Sequence, residues 1–227
     1  MREPRVSPDV IESVVAVRGR VHVVDELDPA RTALLVIDMQ NFFVEPGQML
    51  EIAAARDIVP NINELAAATR ARGGTVVWVR MTLDSDALDA WSVFLSVNGT
   101  PESRAAFCSL EHDKPAHRLW PELDAQQTDL FVDKRRFSAF IQGSSDLQQL
   151  LDDRGIDTLL IVGTLTNVCC ESTGRDAMML NYRVVMIDDA NATVSDAVHR
   201  ATLDNFLTFF GDVQTTEQVL ALLQHAS

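Results

Sequence analysis

Five short stretches of this chain are apolar almost without interruption: ALLVI (33–37), TVVWVRM (75–81), DLFVD (129–133), TLLIVG (158–163) and RVVMID (183–188). A strand with one face in water alternates apolar and polar residues, whereas a continuous run marks a strand covered on both faces, as in parallel sheets. Helical signals stand between the runs. Residues 58–74 (IVPNINELAAATRARGG) end in a glycine pair that stops a helix. Residues 144–155 (SSDLQQLLDDRG) open on serine and stop at glycine, and 195–211 (SDAVHRATLDNFLTFFG) begin with Ser-Asp and close on glycine. Strand alternating with helix implies right-handed crossovers, and hence an α/β fold: a three-layer α-β-α sandwich around a central, mainly parallel sheet.

Two regions stand outside this rhythm. Residues 1–30 form an N-terminal extension suited to an oligomer contact; within it VVAVRGRVHVV predicts a small hairpin turning near Gly19. Residues 82–128 form a long insert holding Trp91, Phe94, Phe107, His112, His117 and Trp120. A connection of that length in a compact domain is usually functional, and here it is expected to be the wall or lid of a pocket. No Pro/Gly/Ser-rich linker or internal repeat divides residues 31–227, which are expected to form a single domain.

The formal net charge of −14 disfavours nucleic acid and anionic membranes as partners, because both demand Lys/Arg patches. A small-molecule substrate is the natural partner. Three cysteines, two of them adjacent, cannot build a disulfide framework and point to a reducing compartment. The N-terminus lacks the uninterrupted apolar core of a signal peptide, and no segment approaches the roughly 18 apolar residues of a membrane span. A cytoplasmic protein is expected.

Open α/β sheets bind ligands at the carboxyl ends of their strands. Just past the first run comes Asp38, in LLVIDMQNFF; past the third come Asp133 and Lys134, in FVDKRRFSAF; past the fourth come Thr166 and Cys169, in VGTLTNVCCESTGRDA. Each alone has a structural reading: a turn carboxylate, a lysine in a solvated charge run, a small buried thiol. Together, at equivalent places in three βα units, they put an acid, a base and a thiol at one edge of the sheet, provided the strands are neighbours. Thr166 is expected to cap a helix over about 167–181, with Cys169 in its first turn, where the helix dipole favours a thiolate. On a helical wheel Cys170 shares a stripe with Gly174, Ala177 and Asn181, a packing face, while Cys169 falls with Thr173, Asp176 and Leu180. The wheel assigns chemistry to Cys169 and packing to Cys170. Cys108 lacks such a setting.

These motifs, in this order, resemble the isochorismatase-like cysteine hydrolase superfamily, which includes nicotinamidase, N-carbamoylsarcosine amidase and ureidoacrylate amidohydrolase. The resemblance covers about residues 30–225 and implies a Rossmann-like topology. It also implies a catalytic triad of Asp38, Lys134 and Cys169, in which Lys134 lowers the pKa values of the other two. A cis peptide between Thr164 and Leu165 is implied as well, with an oxyanion hole made by the N–H groups of Leu165 and Cys169. The implied reaction is hydrolysis of a small linear amide, carbamoyl or ureido compound through a thioester, releasing ammonia or an amine; the region around the nucleophile is nearest to the ureidoacrylate type.

Expected substrate contacts are Asn41 and Phe42 after the acid, Trp91 in the insert, and Arg136 and Phe137 after the lysine, with Arg136 suited to clamping a carboxylate. Nicotinamidases hold a metal through an Asp and histidines after the first two strands. Here MTLDSDALDAW follows the second strand, with no histidine between His22 and His112, so neither a metal nor another cofactor is expected. The family is commonly oligomeric, which implies a homodimer or homotetramer. Two alternatives stand beside the amidase: vinyl-ether hydrolysis as in isochorismatase, which dispenses with the cysteine, and a non-catalytic thiol redox or binding protein on the same fold.

Overall fold

The structure is a computed structural model that describes residues 4–225. Six strands form the central sheet: β1 (Thr32–Ile37), β2 (Thr75–Met81), β3 (Leu130–Lys134), β4 (Thr158–Thr164), β5 (Arg183–Ala192) and β6 (Asp212–Gln214). Their order is β3-β2-β1-β4-β5-β6 and every pair is parallel. Every residue of β1 and β4 is buried, the outcome expected when both faces of a continuous apolar run are covered. The first five strands coincide with the five apolar runs. The sixth, only Asp-Val-Gln, is too short and polar to stand out in the sequence.

The helices are α1 (Pro8–Arg18), α2 (Asn41–Val44), α3 (Val59–Ala71), α4 (Ser85–Asp89), α5 (Ser92–Asn98), α6 (Pro101–Cys108), α7 (Leu147–Asp152), α8 (Glu171–Met179), α9 (Asp196–Phe209) and α10 (Thr216–His225). Helices α3 and α10 pack together over one face of the sheet, while α8 and α9 cover the other with α1 outside α9. Helices α4 to α6 all lie in the 82–128 insert. Helix α7 begins later than Ser144, at Leu147, whose N–H donates to the Ser145 hydroxyl at 3.2 Å. Ser144 and Ser145 donate to the carbonyls of Ser138 and Ala139, tying down the loop after β3.

The hairpin expected around Gly19 is instead the end of α1. Pro8 in the first turn, Asp9 beside it and Gly19 at φ 78° just past the end outweigh the β-branched valines, since Pro opens a helix and a left-handed glycine closes one. Helix α1 is held to α9: Ser7 donates to Asp204 through its N–H and hydroxyl, and Arg18 donates to the Leu207 carbonyl. Among the described residues, no helix is long and apolar enough to cross a membrane.

Candidate active site

Successive strands are added in one direction from β1 to β3 and in the other from β4 to β6, so the carboxyl ends of β1 and β4 open the crevice where doubly wound sheets bind ligands. Asp38 is the first residue past β1. It adopts φ 52°, a left-handed conformation strained for a residue with a Cβ and concentrated at functional sites, and its N–H donates to the Val79 carbonyl at 2.8 Å. Two residues on, Gln40 is fully buried. Its amide nitrogen donates to the carbonyls of Met81 and His117, and its Oε1 accepts from the Met81 N–H at 2.8 Å. One side chain thereby ties the end of β1 to the end of β2 and to the insert.

Lys134 ends β3, at the edge of the sheet and two strands from β1, so the strands that carry the acid and the lysine are not neighbours. Side-chain length bridges the gap. The lysine passes Met81, with Nζ 3.9 Å from Sδ, donates to the Arg136 carbonyl at 3.1 Å, and ends 2.8 Å from Asp38 Oδ2. Both partners are 0% exposed. Bidentate Arg geometry is absent; a single ammonium serves as a point charge.

The thiol arrives from β4. Gly163 sits at φ 117°, and a Cβ there would lie 2.1 Å from the Ile37 carbonyl oxygen, so only glycine lets β4 approach β1 this closely. The Thr164–Leu165 peptide is cis. Residues Thr166–Cys170 then form one wide turn before α8, with the Cys170 N–H bonded to the Leu165 carbonyl five residues back. Thr166 is not the helix cap: its hydroxyl meets Nδ1 of His199 at 2.9 Å. The two cysteines part as the wheel indicated. Cys169 lines a cavity. Cys170 is fully buried outside that lining, and on its stripe Gly174 lies so near Phe206 and Ile161 that a Cβ would collide.

Cys169 interacts with both Asp38 and Lys134, and the electrostatics depart from the sequence expectation. Burial pushes the Cys169 thiol well above an ordinary cysteine, the Asp38 carboxylate adds to the rise, and Lys134 only partly offsets it. Burial likewise raises Asp38 against the opposing charge of Lys134. For Lys134 burial disfavours the charge, but Asp38 and Cys169 outweigh it and the pKa is raised. Lys134 does act downward on its two partners; desolvation is larger. The burial that raises Cys169 favours its protonated thiol, and beside it Lys134 is the ion-pair partner of Asp38.

A cavity of about 390 Å³ opens on Cys169. The insert forms much of its wall, through Leu83, Trp91, Phe94, Phe107 and Leu110, and Phe137, Leu165 and Val168 complete the floor. Of the expected substrate contacts, Trp91 and Phe137 line it; Asn41, Phe42 and Arg136 do not. Phe42 packs in the core against Phe43 and Phe107. Asn41 donates to the Pro115 carbonyl. The Arg136 guanidinium lies over the Trp91 ring at 5.0 Å and donates to the carbonyls of Arg135 and Ala90. A larger, more open hollow of about 500 Å³, bordered by Arg5, Asn61, Asp189 and His199, contains none of the three reactive groups.

Two side-chain groups escape motif reading because their members are far apart in sequence. Asp188, His199 and Thr166 form a chain behind the nucleophile turn: His199 Nε2 is 2.8 Å from Asp188 Oδ1, and Arg5 closes the chain from the N-terminal extension at 2.8 Å. His112, His117 and Asp133 form the other group, with candidate metal-ligand atoms all within 4.8 Å of one another. There Arg80 already pairs with Asp133 at 2.8 Å, and His117 Nε2 meets the Thr82 hydroxyl at 2.7 Å. Burial and the Arg80 charge depress His117 to about 4, so a neutral ring braces the insert against β3.

The fold and the site thus define a doubly wound α/β protein carrying a thiol, a carboxylate and an ammonium at its switch point. The isochorismatase domain model matches residues 32–218, and the chain belongs to that family. Among curated proteins it is 32% identical over 215 residues to the ureidoacrylate amidohydrolase of Klebsiella pneumoniae subsp. pneumoniae, covering 88% of this chain and 89% of that one. The ureidoacrylate amidohydrolase of Acinetobacter baylyi is 32% identical over 216 residues, covering 88% and 86%. Among solved structures, a cysteine hydrolase from Pseudomonas syringae pv. phaseolicola superposes with a TM-score of 0.76 at 33% identity, covering 88% of this chain and 96% of that one.

Proposed function

We propose that this chain hydrolyses a small amide, carbamoyl or ureido compound through a thioester on Cys169. The coarser statement is secure: it is an enzyme, a hydrolase of carbon–nitrogen bonds other than peptide bonds. The observation that carries the finer reading is the convergence of Asp38, Lys134 and Cys169 beneath one largely apolar cavity.

The protonated thiol needs a base, and Asp38 is the carboxylate whose charge acts on it. Asp38 takes the thiol proton as sulfur attacks the carbonyl carbon, forming the C–S bond. Lys134 balances the charge of Asp38 in the ground state and of sulfur as it develops. The carbonyl oxygen becomes an oxyanion, for which the N–H groups of Leu165 and Cys169, both on the cavity wall, are the donors. The C–N bond breaks as Asp38 returns its proton to the departing nitrogen. Water, deprotonated by the same carboxylate, then cleaves the thioester and frees the acid.

The redox-sensor alternative is disfavoured because sensor thiols are exposed and acidic, whereas Cys169 is 2% exposed and its thiol is raised. Vinyl-ether hydrolysis has no use for a thiol so placed. The test is ammonia release across carboxamide, carbamoyl and ureido compounds, with mass spectrometry of the quenched enzyme. An acyl adduct on Cys169 is expected; turnover by Cys169→Ala at the wild-type rate would refute the covalent route.

A further inference from the structure

Resting on the amide-hydrolase reading, we propose that the natural substrate is an uncharged carboxamide with an apolar aryl or branched alkyl group, not an anionic ureido acid. The cavity wall beside Cys169 is built from Leu83, Trp91, Phe94, Phe107, Leu110 and Phe137. Trp91 stacks on Phe94 at 4.4 Å, and Phe94 and Phe137 meet edge to face, so the aromatic wall is rigid. At the mouth, Met49, Leu50 and Val194 expose apolar surface. Substrate pockets of this type rely on a few placed polar groups for orientation, and among the described residues the lining side chains other than Cys169 that can serve are Glu51, Asn98 and the indole N–H of Trp91.

None fits an anion as a charged partner would. Glu51 carries negative charge itself, and its pKa is lowered by the Gly47 N–H and by Arg56. Among the described residues no Lys, Arg or His lines the cavity. The nearby cations are committed: Arg56 to Glu51 and the Val44 carbonyl, Lys134 to Asp38, Arg136 to two backbone carbonyls on the Trp91 ring. A substrate carboxylate would be desolvated without a partner, in the field of a chain of net charge −14. An apolar group meets no such penalty and gains from burial.

The same logic assists release. The reaction R–CO–NH2 + H2O → R–COO⁻ + NH4⁺ turns a neutral substrate into an anion. The cavity that admits the amide is therefore unfavourable to the acid it becomes.

The test compares benzamide with 4-carboxybenzamide, matched in shape and differing by one charge, alongside 3-ureidoacrylate. In ammonia-release assays benzamide is expected to exceed both anions in kcat/KM by about a hundredfold, the scale set by a buried charged group left unpaired. Leu83→Arg, which adds a cation to the wall, is expected to narrow or reverse the gap. Equal or faster turnover of either anion would overturn the proposal and leave the hydrolase reading intact. Calorimetry on Cys169→Ala reads binding without chemistry, with benzamide expected to bind more tightly than 4-carboxybenzamide. That result alongside no cleavage of any amide would overturn the hydrolase reading alone, and tighter binding of the anion would overturn the substrate proposal.

Discussion

The hydroxyl of Thr166 lies 2.9 Å from Nδ1 of His199, three residues before the thiol that lines the cavity. Because the other ring nitrogen is held by Asp188, the imidazole is fixed at both ends and so is the turn it supports. Arg5 and His199 hold Asp188 ionised against its burial, which keeps its pKa below the ordinary carboxylate range. Thr166 and His199 act as positioning residues. Thr166→Val is expected to lower kcat about tenfold with little change in KM, and Thr166→Ser to restore most of it. A loss expressed only in thermal stability, with kcat unchanged, would reduce the pair to a structural brace.

The adjacent cysteines are expected to behave oppositely. Cys169→Ser should lower kcat by on the order of 10³ or more, as losing a nucleophile does. Cys170→Val adds about one methyl group to a fully buried side chain and should cost about 1–3 kcal/mol, with kcat within twofold. Chemical denaturation and steady-state kinetics on the two variants decide this together.

The Asp38–Lys134 pair has a distinct signature, because removing one member strands a charge in the interior. Lys134→Met alone is expected to destabilise by about 3–5 kcal/mol. Adding Asp38→Asn should recover most of that stability and none of the activity. Denaturant melts of the two single variants and the double variant measure it. A double variant no more stable than the singles would mean that the pair contributes through packing, not charge.

The pH dependence follows from the directions of the shifts. Asp38 acts ionised and its folded pKa lies above the ordinary 3.8, so kcat/KM should fall, as pH decreases, through an acid limb above that value. Lys134 is raised above 10.5, so its contribution to stability is complete below that pH and is lost only as pH rises through the folded value. The raised thiol also predicts that alkylation of Cys169 by iodoacetamide shows no inflection near the free-cysteine value of about 8.5. An inflection there would mean that the thiol titrates independently of Asp38.

At Gly163 the expectation is steric. A Cβ would overlap the Ile37 carbonyl at a backbone φ of 117°, and neither strand can retreat from the centre of the sheet. Gly163→Ala should destabilise by about 3 kcal/mol or more, measurable as a lowered melting temperature, with activity lost through displacement of the turn carrying Cys169.

Much of this architecture is legible in the sequence because it rests on local signals. Continuous apolar runs locate five strands, and residues just past the first, third and fourth supply Asp38, Lys134 and Cys169. What was not legible depends on distance in the chain. Nothing in Lys134's neighbourhood reveals that it reaches across β2 to Asp38, since strand order is set by crossovers and not by motifs. Gln40, buried two residues past the acid, carried a signal in its position that only its three backbone contacts make meaningful. The valines of α1 misled because end-capping residues, not the interior, determined the local conformation. Phe42 and Arg136 stand beside the motifs in sequence, but packing against Phe43 and Phe107 and over the Trp91 ring keeps each out of the cavity lining.

The insert of residues 82–128 has an evolutionary consequence. Acid, ammonium and thiol all come from strand ends or the turn beyond one, whereas Leu83, Trp91, Phe94, Phe107 and Leu110 come from a single excursion that leaves the sheet at the end of β2. Reactivity and selectivity are thus written in separate passages of the chain. Drift within one excursion can retune which molecule is admitted while the strand-borne groups stay untouched, and a graft of 83–110 between relatives is the natural unit for exchanging substrate preference.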